Sequence, residues 1–501
     1  MKWMSKDLLR FVVIISVLLL AASYPSMAAA AKETKQAKTT KATKTAKAIP
    51  GTVAEKVSKA NAGFDANKMS DMSGFDPANW VSPTGDTIKI AAMNSYSGPG
   101  AINGQLHLAA ILWAVYDINK RGGIWVDGRK KLIQIIKADH MAKADQCKKV
   151  AERMVLQEKV HVLIGSPGSN MVKIMNEVGG KYKIPVWNYA GMSDDLYDAT
   201  NFNRYSFQGS YSTEQVSRGL AYYVGQIRKK EKKFYILNQD YAFGHASAEG
   251  FKKGLKEYYP EAEIVGEDFH KLFLTDFAPY MTKIKAAGAE AIFTADWAPD
   301  SVNLLKQSRQ MGITLPFVSN YLIEASGMRD IGVEGTKGII HIDQFDIPDA
   351  FANPGYVKYH IAWRNGWKKW SAPYNSVSYE QGSSGFLASY SMQIYWLLSA
   401  IERAKSTDPE KIISVLENDS FQYVNGKIAK MRACDHKIIQ DFSVTEVVPP
   451  EQQKISYKIP PYYWFKDFSW TGQLYVVPAA KALPWMDQNL DRCKGKNGWG
   501  E

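Results

Sequence analysis

Residues 160–189 read VHVLIGSPGSNMVKIMNEVGGKYKIPVWNY. Val160 to Gly165 has strand length and a single polar residue, His161. Small residues, Ser166-Pro167-Gly168-Ser169-Asn170, then break the run, and a helical pattern follows from Met171 to about Tyr182. Pro185 to Tyr189, apolar but for Asn188, is the next strand. Near-continuous apolar strands on either side of an amphipathic helix predict parallel strands covered on both faces.

The same alternation extends in both directions. Upstream lie a strand over Thr87 to Met93, a helix from Gly104 to Arg121, a strand over Leu132 to Asp139 and a helix from Lys143 to Glu158. After Tyr205 to Gly209 the rhythm restarts. Helices from Thr213 to Lys229, His245 to Tyr259, Phe277 to Ala287 and Ser301 to Met311 alternate with strands Phe234 to Asn238, Ala262 to Gly266 and Ala291 to Ala295. Two such sets predict an α/β chain with two Rossmann-like lobes, each on a parallel sheet. Ligands of such sheets bind beyond the carboxyl ends of the strands. Here those are the loops near Ser97, Ser169, Gly191, Asp240, Asp296 and Asn320.

A formal charge of +12 on 501 residues raises nucleic acid as a partner. However, residues 1–59 hold eleven Lys or Arg against three Asp or Glu, so +8 of that charge sits there. The rest is spread without a basic stripe, and no nucleic-acid partner is expected. Lys2, Lys6 and Arg10 precede the apolar run Phe11 to Ala22, and small residues around Ala28 and Ala30 fit a cleavage site. This predicts a signal peptide over 1–30 and a periplasmic protein. Lys32 to Ala60 repeats Lys, Thr and Ala with almost nothing to bury, so residues 31–85 are expected to be a linker and a transition segment.

Three cysteines are present. Cys147 falls where a helix needs a small residue facing the core. Cys434 and Cys493 either pair, tying the C-terminal tail to the body, or stay free thiols; spacing alone leaves both open.

Several chemistries lack their motifs. No Gly-x-Gly-x-x-Gly opens a helix, and no Walker-type Gly-Lys-Ser/Thr, His-Glu-x-x-His or Gly-x-Ser-x-Gly occurs. No cofactor, metal or catalytic residue is expected. Asp435-His436 reads as a surface turn. The loop before Met171 is where the sequence points to a ligand. Small residues let a guest approach the backbone, the helix start offers unpaired N–H groups, and Ser169 or Asn170 can add a hydrogen bond. Capping of the helix by the same two residues is the competing account.

At this point the chain resembles the leucine/isoleucine/valine-binding protein family of periplasmic receptors. The residues that carry the likeness are Ile88-Lys89-Ile90-Ala91, Ser97-Gly98-Pro99, Ala114 to Ile124, Val162 to Ser166, Lys183 to Val186, Asp240 to Gly244, Gly312-Ile313 with Leu315-Pro316-Phe317, and Arg432 to Phe442. The resemblance implies a type I periplasmic binding fold. Residues 86–208 plus 340–424 would form the N-terminal lobe, 209–339 plus 425–480 the C-terminal lobe, and 481–501 a tail. A three-strand hinge would cross near Gly209, Ile339 and Val424.

The implied activity is capture of a small amino-acid-like, carboxylate or amide ligand. A monomer would deliver it to an inner-membrane ABC permease with cytoplasmic ATPases. A sensor module of the same fold and an enzyme are the other two readings. By position, the family's carboxylate-binding serine falls on Ser169. Its backbone acceptor falls on Ala190, and the hydroxyl just after on Met192 or, with a shift, Ser193. Its pocket aromatics fall on Asn103, Phe243 (with Tyr241 close by) and Trp297. The acid that would receive an ammonium falls on Tyr321, with Glu324 nearby. An ammonium buried without a carboxylate costs several kcal/mol, so these aromatics suit an aromatic acid or amide as well as a branched-chain amino acid. The aromatic stretch Pro460 to Trp470 has no counterpart in the family pattern.

Overall fold

The computed structural model describes residues 49–501, apart from 99, 298, 320, 323–330, 333, 346–352, 376–384 and 448–472. The expected signal peptide, the Lys-rich stretch as far as 48, Glu324 and the aromatic stretch 460–470 lie outside the described residues.

The first sheet holds five parallel strands: β1 (Ile88–Asn94), β2 (Ile133–Asp139), β3 (Val162–Gly165), β4 (Val186–Asn188) and β5 (Ser206–Gln208), in the order β2-β1-β3-β4-β5. Helices α1 (Ala101–Lys120), α2 (Ala144–Leu156) and α3 (Ser169–Tyr182) make the crossovers. Every residue of β3 is buried, as a strand covered on both faces requires. On α3 the buried set includes Met171, Val172, Met175, Val178 and Gly179, one helical face. Gly179 is where that face meets the sheet: a Cβ there would lie 2.4 Å from the side chain of Val186.

Past α4 (Thr213–Tyr222) the second sheet begins. Its strands are β6 (Lys233–Gln239), β7 (Glu263–His270), β8 (Ala291–Thr294), β9 (Phe317–Ser319), β10 (Ile339–Asp343), β11 (Phe442–Glu446) and β12 (Gln473–Val477), in the order β7-β6-β8-β9-β10-β11-β12. The first five run parallel, β11 runs antiparallel to β10, and β12 antiparallel to β11. Helices α5 (Ala242–Tyr258), α6 (Ala278–Ala286) and α7 (Asp300–Gln310) cover it.

Two expected boundaries move. Ile340 to Asp343 belong to β10, where His341 pairs with Ser319 on one side and Thr445 on the other, so the chain leaves the second sheet only after Asp343. It then runs through α8 (Pro354–Trp367), α9 (Gly385–Ala404) and α10 (Pro409–Leu416) on the side of the first sheet. Tyr395 of α9 donates to Asp117 of α1 at 2.8 Å. The hairpin of Ser420–Gln422 with Ile428–Met431 stays there too, Phe421 stacking on Trp396 at 5.8 Å. The last crossover is therefore at Gln440-Asp441, not near Val424. An apolar hairpin carries no sign of which sheet it will cover.

Residues 49–85 are not a linker. Val53, Met72 and Phe75 are buried, and Ala62–Gly63 pairs with Phe421–Gln422. The Asp441 carboxylate accepts the amides of Val53 and Ala479, at 3.2 and 2.8 Å, holding these two segments at the crossover. These anchors enter the core singly, without a period that sequence can reveal.

Asp435-His436 is not a surface turn either, since both residues are fully buried. Arg432 pairs with Asp435 at 2.6 and 2.8 Å and donates to the carbonyls of Pro484, Trp485 and Gly498. His436 stacks on Phe207 at 3.9 Å. The last residues cover this charged pair, and a Cys434–Cys493 disulfide ties them down. Cys147 is free and buried. Among the described residues no helix is long and apolar enough to cross a membrane.

Candidate functional site

The strand ends of the two sheets converge on one cavity. Asn103, Ala190, Met192, Phe243, Trp297 and Tyr321 line it, joined by His107, Pro167, Tyr241 and Tyr390. Asn103 lies on the first turn of α1, after β1; Pro167 follows β3, and Ala190 and Met192 follow β4. Tyr241 and Phe243 follow β6, Trp297 follows β8 and Tyr321 follows β9. His107 is four residues beyond Asn103 on the same helical face, a spacing that could have identified it. Tyr390 comes from α9, where nothing in the sequence links it to the site. The rings stand close together, and the cavity they enclose is small, about 40 Å³.

Ser169, Asn170 and Ser193 stand elsewhere. Ser169 is buried as the first residue of α3, and its Oγ accepts the amides of Met192 and Ser193, both at 3.2 Å. It thus fixes the loop that carries Met192 into the cavity. Asn170 is exposed. Gly168 occupies the cap position, so neither Ser169 nor Asn170 caps the helix. Ser193 is buried, and its Oγ has no hydrogen-bond partner among the described residues.

The walls are mostly rings. Tyr241 and Phe243 are 5.8 Å apart, Phe243 and Tyr321 6.0 Å, and His107 and Tyr390 4.2 Å. Trp297 Nε1 donates to the Tyr241 hydroxyl at 2.9 Å, leaving that hydroxyl's own hydrogen to donate elsewhere. Tyr321 donates to Met192 Sδ at 2.9 Å, joining the strand-end loops of the two sheets. Burial raises both Tyr241 and Tyr321, so their hydroxyls keep their protons. Burial also lowers His107 to about 3, so this imidazole is neutral at pH 7. No charged side chain lines the cavity among the described residues.

A serine and a histidine meet just behind Pro167: His140 Nε2 is 2.9 Å from Ser166 Oγ. The contact has the wrong direction for catalysis. His140 Nδ1 accepts the amide of Ala142 at 3.1 Å, which places the ring hydrogen on Nε2. The imidazole then donates to Ser166 and cannot take its proton as a general base does. Burial lowers His140 to about 4, so the ring stays neutral.

Two parallel α/β lobes with an aromatic cavity at their facing strand ends define a two-lobed solute-binding fold. The chain belongs to the periplasmic binding protein family, whose family model matches residues 87–454. The Leu/Ile/Val-binding protein homolog 4 of Brucella abortus is 25% identical over 257 residues, which is 49% of this chain and 59% of that protein. The chain thus spans little more than half the length of that curated relative. Among solved structures, the leucine-, isoleucine-, valine-, threonine- and alanine-binding protein of Brucella ovis, in a closed conformation, superposes with a TM-score of 0.65 at 20% identity, covering 81% of this chain and 98% of that one. A solute-binding protein of an R. palustris ABC transporter, in complex with 4-hydroxybenzoate, gives 0.59 at 21% identity, covering 72% and 93%. These likenesses establish the type I periplasmic binding fold.

Proposed function

We propose that this chain is the periplasmic receptor of an ABC uptake system, exported by its N-terminal signal peptide. It traps a small guest between its lobes by hinge closure and hands it to an inner-membrane permease driven by cytoplasmic ATPases. The observation that carries this reading is the ring-lined cavity, built from the strand ends of both sheets and closed from the side by Tyr390. Such a site needs only satisfied contacts with its guest, and the His140–Ser166 contact beside it is oriented against nucleophilic chemistry. The chain is therefore read as a carrier and not an enzyme.

Of the guest chemistries open at the outset, the cavity favours an aromatic acid or amide over a branched-chain amino acid. Flat rings stack on flat guests, and the Tyr241 hydroxyl, which accepts from Trp297, can donate its own hydrogen to a carboxylate or carbonyl oxygen. A zwitterion would bring an ammonium to walls whose described side chains carry no charge. The test is a thermal-shift screen of refolded protein against aromatic carboxylates, their amides and aliphatic amino acids. Guest at a hundred times its dissociation constant adds about 2.7 kcal/mol of stability. Stabilisation by aromatic carboxylates or amides is expected; a response to aliphatic amino acids alone would contradict the ligand class.

A further inference from the structure

Behind the second-lobe wall of the cavity lies a buried cluster with no part in lining it. His270, at the end of β7, sits at fully buried side-chain depth beside Asp296, with Nε2 2.7 Å from Asp296 Oδ2. The other ring nitrogen, Nδ1, is 2.9 Å from the carbonyl of Lys271. A carbonyl can only accept, so Nδ1 carries a hydrogen. Asp296 Oδ1 accepts the amide of Gln239 at 2.9 Å. Between Nε2 and Oδ2 there must then be one more proton. Without it, a ring lone pair would face a carboxylate oxygen at hydrogen-bond distance in a site sealed from water.

The cluster spans three neighbouring strand ends. Gln239 closes β6 and its side chain donates to Asp300 Oδ2 at 2.8 Å, while the amide of Phe273 donates to the same oxygen at 2.8 Å. The cavity wall hangs from these residues. Tyr241 is two positions past Gln239, Trp297 follows Asp296, and Phe273 packs edge-on against Trp297 at 5.8 Å. The titratable groups facing His270 among the described residues are Asp296 beyond β8, Asp300 on α7 and Tyr280 on α6, whose ring is 6.1 Å away. Burial alone would lower His270, but the hydrogen bond and charge of Asp296 outweigh it and the imidazole is raised. Asp296 and Asp300 are both raised, chiefly by burial.

We propose that His270 and Asp296 are positioning residues that hold one shared proton, and that this proton keeps Trp297 and Tyr241 in place, so the aromatic wall loosens when the proton leaves. That the wall serves capture rests on the receptor reading; that the proton fixes the wall does not. In the receptor, capture would thus fade on the alkaline side.

The test uses the whole chain without any guest. Nitrogen-15 NMR follows the His270 ring nitrogens and the Trp297 indole N–H, each assigned, from pH 6 to 10. The proposal expects His270 to lose its proton above the ordinary histidine value, and the Trp297 indole signal to move at the same midpoint. It also expects the coincident Trp297 step to vanish in Asp296→Asn. A His270 that titrates at or below its ordinary value, or a Trp297 signal that stays still while His270 titrates, overturns it. Benzoate serves as the probe of capture: affinity about tenfold weaker at pH 9 than at pH 7 is expected in the wild type. No affinity for benzoate at any pH, with the coincident NMR steps intact, would count against the choice of guest and leave the proton's role supported.

Discussion

The hydroxyl oxygen of Ser169 stands 3.2 Å from the amide nitrogens of both Met192 and Ser193. The serine that by position matches the family's carboxylate holder is, in this chain, a brace for the loop that reaches the cavity. Ser169→Ala leaves two buried N–H groups unpaired, at about 1–3 kcal/mol for an unsatisfied group. Urea unfolding is expected to show a stability loss of about 2 kcal/mol, with weaker capture of an aromatic carboxylate. Ser169→Thr, which keeps the oxygen, is expected to lose less.

Trp297 is the wall residue joined both to Tyr241, by its indole N–H, and to Phe273, by ring contact. Replacement by Ala removes a stacking surface worth about 1–2 kcal/mol to a planar guest, so calorimetric titration is expected to show roughly tenfold weaker binding. Trp297→Phe keeps a ring but not the donor, and is expected to fall between.

The Cys434–Cys493 bridge closes a loop with a sequence separation of 59. On chain-entropy grounds such a cross-link contributes about 4 kcal/mol. Reduction, or Cys493→Ser, is therefore expected to lower the melting temperature clearly. Capture at room temperature should persist, because neither sulfur lines the cavity.

Glu417 anchors the tail from the other side, accepting from Arg492 at 2.5 Å beside His436. Burial alone would raise its carboxyl, but the contacts with His436 and Arg492 outweigh that and hold it at about 2. A carboxyl lowered in the folded state stabilises fully above its ordinary value of 4.5 and loses that stabilisation as pH falls toward 2. The urea midpoint is expected to drop across that window, and Glu417→Gln is expected to flatten the drop.

Alternating strands and helices over 87–311 were legible because the central strands, such as Val162–Gly165 and Ala291–Thr294, are almost wholly apolar and α3 has one apolar face. The strand-end rule pointed to the loops near Asp240, Asp296 and Asn320, and the family resemblance then picked out Phe243, Trp297 and Tyr321, which line the cavity. Tyr390 was not, since it reaches the cavity from α9, far along the chain. The buried Arg432–Asp435 pair and the packed residues 49–85 escaped notice because polar or sparse stretches look solvated until a partner covers them. Ser169 shows a further limit, for position in a loop does not say whether a hydroxyl faces a guest or a neighbouring backbone.

Calorimetric titration of the refolded protein with benzoate, run in parallel on Trp297→Ala and Tyr321→Ala, tests the cavity as the capture site most directly. One equivalent bound by the wild type, with affinity reduced at least tenfold in both variants, is the predicted result. Binding of equal strength in all three proteins would contradict it.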